Sequence, residues 1–353
     1  MFSNITLRNH NNNFDFLRLA GALTVIVNHS HPILTGIPHR DFLENLSGTI
    51  GFGTFMFDIF FVISGYLIAQ SFFARPTFLD FFKARVLRIM PAFAMSMLCC
   101  VFIVGAISTS FSLHEYFTNA HTWRYFINLS LFKLQFNLPG VFTHHPMTSV
   151  NGSIWSLAYE FTLYIALFLF GIIGFLKPTK LNLLLHLFIF TGMIFLNSHT
   201  EMTAITAFGI ESSRIVNLYV YFFFGAALFI FREKFQPKWY LVLLFFLCWI
   251  FSFHTKFCAP ISFFFIPIFT IWVGFLPINF PKWITSTGDY SYGLYVYSFP
   301  IQQLIISYTS AHISIYGMVA LSILCTFPVA ILSYHFIELP ALRWKSKYFF
   351  LKN

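Results

Sequence analysis

"FDFLRLAGALTVIVNHSHP", residues 14–32, decides how the chain is read: it suits a lipid bilayer almost throughout, yet carries Arg18 near one end and His29 near the other. Ionisable groups inside a membrane span cost about 2.5–3.5 kcal/mol each on insertion scales, so they mark function by default. Arg18 and His29 are eleven residues apart, close to three helical turns, so a helix presents both on one face about 16 Å apart.

The rest of the chain supports a membrane reading. Of 353 residues, 58% are hydrophobic, only 9% are charged and 52 are Phe. A soluble domain carries roughly 25% charged residues, which excludes an ordinary globular protein. The expected fold is all-α, a polytopic bundle of membrane helices. A crossing helix needs about 20 apolar residues, and that criterion places ten spans near 14–32, 52–73, 89–108, 154–176, 181–197, 214–231, 239–254, 257–276, 290–309 and 314–337. The first is read as a retained span and not a cleaved signal, since Asp15 and Arg18 adjoin it and no small-x-small site follows. Segment 109–153, aromatic and polar by turns, is the place for an interfacial or re-entrant helix. Basic residues cluster in alternate loops, which puts both termini in the cytoplasm. The whole chain, 1–353, reads as a single integral-membrane domain without an appended soluble one.

The net charge of +9 does not imply a nucleic-acid partner, because the basic residues sit in short clusters between apolar runs. The five cysteines lie in apolar stretches without C-x-x-C pairing and are expected to be small buried hydrophobes. His144, His145 and the pair His29/His31 lack carboxylates or cysteines at ligand spacing, so no metal is expected and the loop histidines are expected to be solvated. No P-loop or nucleophile elbow appears.

Several polar residues lie where packing does not require them. In "FMFDIFFVISGYLIAQ", residues 55–70, Asp58 and Ser64 interrupt an apolar run, and Gly65 suits close helix approach. Asp58 either pairs with a basic neighbour or is held neutral. In "FFKARVLRIMPAF", Arg85 and Arg88 are three apart and share a helix face. They suit either an ordinary cytoplasmic basic loop or paired hydrogen bonds to phosphate. "NGSIWSLAYEF" opens the fourth span with Ser153, Trp155 and Glu160. Glu160 lies about 9 Å into it and His29 about 22 Å above the inner edge of the first span. In a core of roughly 30 Å the two depths nearly coincide, so a carboxylate can support the imidazole as a general base.

In these segments the sequence resembles the acyltransferase-3 family of integral-membrane enzymes. The resemblance rests on the R-x10-H spacing of the first span, "DIFFVISGYLI", the R-x-x-R of Arg85 and Arg88, "SIWSLAYEF", "YSYGLYVYSFPI" and "SYHFIELPALRWK". It implies acyl transfer from cytoplasmic acetyl-CoA, a donor substrate and not a bound cofactor, to a hydroxyl of a cell-surface glycan such as O-antigen, capsule or exopolysaccharide. It also implies residence in a bacterial inner membrane. His29 and Glu160 are the implied catalytic pair, with His29 either accepting the acyl group or deprotonating the acceptor hydroxyl, and Arg18, Arg85 and Arg88 are the implied donor-binding set. Asp58, Ser64, Ser153, Trp155 and Ser298 fall on the acceptor side or support it. Many relatives carry His where Ser298 stands. Two rivals use the same polar residues: a proton-coupled transporter and another membrane glycan enzyme, such as a lipid-linked sugar polymerase.

Overall fold

The computed structural model describes residues 12–38, 40–74, 76–199, 206–207, 210–277, 288–309 and 312–350. Each of the ten expected segments is a helix: α1 (Phe14–Thr35), α2 (Phe52–Ala74), α3 (Phe78–Cys99), α4 (Trp155–Ile172), α5 (Lys180–His199), α6 (Ser212–Ile230), α7 (Trp239–Phe251), α8 (Cys258–Gly274), α9 (Ser291–Thr309) and α10 (Ile315–Ser333). The expected all-α class holds, since strand pairing among the described residues is limited to Thr206–Ala207 with Ile210–Glu211 and one bridge from Thr109 to Val141.

Among the described residues four stretches are long and apolar enough to cross a membrane: Phe52–Ala74, Phe78–Ser108, Gly152–Ile172 and Ile315–Trp344. The second and fourth exceed their single α-helices because π-helical turns extend them, Cys100–Gly105 after α3 and Tyr334–Glu338 after α10. The expected third span starts too late. Its helix begins at Phe78, so Arg85 and Arg88 lie inside a long helix and not in a connecting loop. The expected span 239–254 is cut to thirteen residues, because His254 takes a left-handed backbone (φ 58°) and donates its N–H to the Ser47 carbonyl. Cys248 and Cys325, expected to be buried, are exposed. An apolar run on a membrane helix includes the side turned away from its neighbours, and periodicity alone does not tell the two sides apart.

Two compact units interleave along the sequence, and the boundary between them falls within α1, α3 and α4. The first takes the described residues of Met1–Gly21, Arg40–Phe81 and Tyr159–Ile284. At its centre α2 and α6 approach through reciprocal glycines. A Cβ on Gly65 would stand 1.8 Å from the Phe222 carbonyl oxygen, and one on Gly225 would stand 2.1 Å from that of Val62. This is the close helix approach expected of Gly65. Where α8 ends, its unpaired carbonyls need donors, and Asn13 supplies them. Its backbone N–H bonds the Gly274 oxygen at 2.8 Å, and its side-chain amide bonds those of Val273 (3.0 Å) and Leu276 (3.1 Å).

The second unit takes the described residues of Ala22–His39, Phe82–Ala158 and Thr285–Asn353. Pro300 inside α9 has no N–H, so the carbonyl four residues back, on Val296, loses its helical donor. Asn151 restores a bond to that oxygen at 2.9 Å and Ser96 adds another at 3.3 Å. Segment 109–153 holds short helices Leu113–Thr118 and Ala120–Arg124. Ser112 caps the first, and its hydroxyl and backbone N–H hold the Glu115 carboxyl below its ordinary pKa.

Candidate active site

In the second unit, His29 stands on α1 with its ring edge against Phe299 of α9, centroids 5.6 Å apart. Its Nδ1 is buried and has no hydrogen-bond partner among the described residues. Buried polar atoms are paired in the great majority of cases, so an orphaned imidazole nitrogen calls for a reason such as a chemical role. On either side of His29 along α1, Gln302 of α9 ties the two helices together. Its amide donates to the Ile26 carbonyl and to the Ser30 hydroxyl, each at 2.9 Å. The neighbouring Gln303 donates to the Met147 and Ser149 carbonyls, both at 2.7 Å, and its Oε1 lies 2.8 Å from His145 Nδ1. His145 also meets the Ser307 hydroxyl at 3.0 Å. It is half-buried and bonded, which corrects the expectation of a solvated loop histidine.

Ser298, one residue before Phe299, is fully buried, and its hydroxyl has no hydrogen-bond partner among the described residues. Ser153 donates to Asn151 Oδ1 at 2.8 Å, and its carbonyl accepts from the Tyr295 hydroxyl. Trp155 is half-buried at the first turn of α4. Arg85 is buried on α3. Arg88, one turn on, places Nη2 on Asp289 at 2.6 Å and Nη1 on Glu338 at 3.1 Å. Glu338 sits in the π-helical turn after α10, where Ser333 also donates to it at 3.3 Å. The expectation for Arg88 was a basic loop or a phosphate grip. Two carboxylates occupy its terminal nitrogens here, and the trio's formal charge is negative when both are ionised.

In the first unit, Glu160 has two oxygen donors on one carboxylate oxygen. The Tyr164 hydroxyl donates to Oε1, and the Ser64 hydroxyl reaches the same atom at 3.3 Å. Two donors on one oxygen fix the direction in which the carboxylate points. The sequence reading named Ser64 and Glu160 separately, and α2 and α4 bring them together. Asp58 is buried and bonds the Tyr221 side chain, whose hydroxyl lies 3.0 Å from Ser262. A phenol thus takes the place of the basic neighbour that was one of the two expectations. Arg18 pairs with Asp15 at 3.4 Å, a contact within one turn of α1.

Sequence reasoning missed Gln302, Gln303, Asp289, Glu338 and Tyr164. The first four had a signal, since amides and carboxylates interrupting apolar runs are costly in lipid. Tyr164 had none, because a Tyr at a helix face is ordinary.

Against known proteins, residues 11–336 match the family model described as an acyltransferase domain. The chain is 30% identical over 337 residues to the O-acetyl transferase of Shigella phage Sf6, covering 93% of this chain and 95% of that one. It is also 28% identical over 185 residues to nodulation protein 10 of Rhizobium leguminosarum bv. viciae, covering 45% of this chain and 43% of that one. No solved structure matches it.

Proposed function

The chain belongs to the acyltransferase-3 family, and on that premise we propose that it moves an acetyl group from cytoplasmic acetyl-CoA to a hydroxyl of a cell-surface glycan. The observation that carries the reading is the orphaned Nδ1 of His29, a buried nitrogen on a half-buried imidazole with unused hydrogen-bonding capacity. The acetyl donor follows from the name of the phage relative, and the glycan acceptor from the resemblance of the motifs. The proposed arrangement has ten spans, with both termini in the cytoplasm of a bacterial inner membrane.

In the proposed reaction the acceptor hydroxyl oxygen attacks the thioester carbonyl carbon. A C–O bond forms, the C–S bond breaks, and His29 takes the hydroxyl proton and passes it to the departing thiolate. General-base help of this kind is typically worth about 10²–10⁴-fold. Glu160 enters the relay on the strength of its depth in the sequence, and Tyr164 and Ser64 fix which way its carboxylate points. Arg18, Arg85 and Arg88 form the proposed donor-binding set, with Arg88 anchored by Asp289 and Glu338. The pantetheine arm follows the face of α1 that carries Arg18 and His29. Asp58, Ser153, Trp155 and Ser298 shape and support the acceptor side.

Mass spectrometry of surface glycans from cells with and without the protein tests this directly. The expected result is one acetyl mass per modified sugar that disappears with the gene and with His29→Ala, while the variant still accumulates in the membrane. Unchanged glycans, or full acetylation by His29→Ala, would overturn it.

A further inference from the structure

A cavity of about 200 Å³ opens in the first unit between α2, the stretch after α6 and the end of α8. Tyr66, Trp272 and Phe275 give it aromatic walls, Gln236 and Pro237 also line it, and Arg232 is the one charged lining residue among the described residues. The guanidinium is fixed in place. It lies 4.2 Å over the Phe229 ring and donates from Nη1 to the Phe229 carbonyl at 2.9 Å. It reaches Glu233 only at 4.0 Å, and its side chain keeps 35% of its exposure. Tyr66 packs against Phe14 with centroids 5.6 Å apart, and Phe14 lies about one turn before Arg18 on α1.

The distribution of charge gives this cavity a role. Arg88 has both terminal nitrogens on carboxylates and Arg85 is buried. Arg232, by contrast, presents a pinned cation to an open aromatic hollow beside Phe14 at the start of α1, the helix that carries Arg18. Its loop, which also carries Lys234 and Lys238, belongs to the basic set that the positive-inside rule puts in the cytoplasm. A guanidinium beside aromatic faces suits an aromatic ring carrying a phosphate. The volume falls below the ~300 Å³ at which pockets for whole drug-sized ligands begin, so it suits one end of a long molecule.

We propose that this cavity receives the 3′-phosphoadenosine end of the acyl-CoA donor, with adenine against Tyr66, Trp272 and Phe275 and the 3′-phosphate on Arg232. The assignment rests on the donor reading above. A phospholipid phosphate offers similar chemistry, so the test separates the two.

Full-length protein in phosphatidylcholine nanodiscs, with and without phosphatidylglycerol, is titrated with acetyl-CoA and with acetyl-dephospho-CoA, which lacks the 3′-phosphate. The wild type is expected to prefer acetyl-CoA about tenfold, the scale of one charge-assisted hydrogen bond. Arg232→Ala is expected to bind both donors alike, and Arg232→Lys to keep part of the preference. Equal binding of the two donors by the wild type overturns the assignment without any variant having to fold. So does an undiminished preference in Arg232→Ala, or an Arg232→Ala effect confined to phosphatidylglycerol binding. A wild type that transfers acetyl from acetyl-CoA yet ignores the 3′-phosphate sinks the cavity alone. One that neither binds nor uses any acyl-CoA sinks the donor reading, and the cavity assignment with it.

Discussion

The Tyr164 phenol donates to the Glu160 carboxylate from one turn further along α4, and the Ser64 hydroxyl of α2 reaches the same oxygen. The carboxylate is therefore aimed by two side chains whose removal need not disturb the fold. Tyr164→Phe keeps the ring and deletes the donor. It is expected to lower the acetyl-transfer rate about tenfold, the scale of a hydrogen bond to a charged group, with little change in KM for acetyl-CoA. Ser64→Ala is expected to do less, and the double variant more than either. Steady-state kinetics in nanodiscs checks this; a Tyr164→Phe enzyme with wild-type turnover removes Tyr164 from the site.

Gln302 is expected to matter through His29. Gln302→Leu keeps the volume but takes the amide away from the Ile26 carbonyl, about one turn before His29, and from the hydroxyl of Ser30, next to His29. The Ile26 carbonyl keeps the Ser30 hydroxyl as a donor at 2.8 Å, so the cost is that of the lost hydrogen bonds, about 0.5–1.5 kcal/mol each. Both turnover and thermal stability should fall, whereas His29→Ala should remove turnover and leave the melting temperature nearly unchanged. Differential scanning fluorimetry beside an activity assay separates these outcomes.

Arg88 is expected to behave as a structural ion before it behaves as a ligand. Arg88→Ala strands Glu338, which is almost wholly buried at 1% exposure. Breaking a buried pair by removing one partner costs about 3–5 kcal/mol, so the variant should accumulate poorly. Asp289→Asn and Glu338→Gln combined with Arg88→Gln should recover accumulation, because none of the trio's charges is then left without its partner. Membrane levels measured by quantitative blotting decide the point; an Arg88→Ala protein of normal abundance and melting temperature contradicts it.

Gly65→Ala is expected to be poorly tolerated, since the new Cβ meets backbone oxygen and not a movable side chain. Overpacking costs typically 1–3 kcal/mol, and more where backbone must shift. Gly192→Ala on α5, where nothing lies within 4 Å of the added Cβ, is the control that should leave the melting temperature unchanged.

The lengths and apolar character of the helices were legible because hydropathy is a local property, and all ten expected segments are helical. Their exact limits were less so. The end of α3 at Cys99 and the end of α7 at Phe251 depend on a π-helical turn and on a backbone bond from His254 to Ser47.

What the sequence determined by itself was the membrane character of the chain, the helical segments, and the placing of Arg18 and His29 on one face of α1, since composition and a 3.6-residue period are enough for these. Tertiary structure alone decided which polar groups meet. Arg88 finds Glu338 across 250 residues, and Gln302 finds Ile26 across 276. In an apolar interior the great majority of such groups have a partner, but which one each finds is set by how helices pack, and packing is not written in any local stretch of the chain.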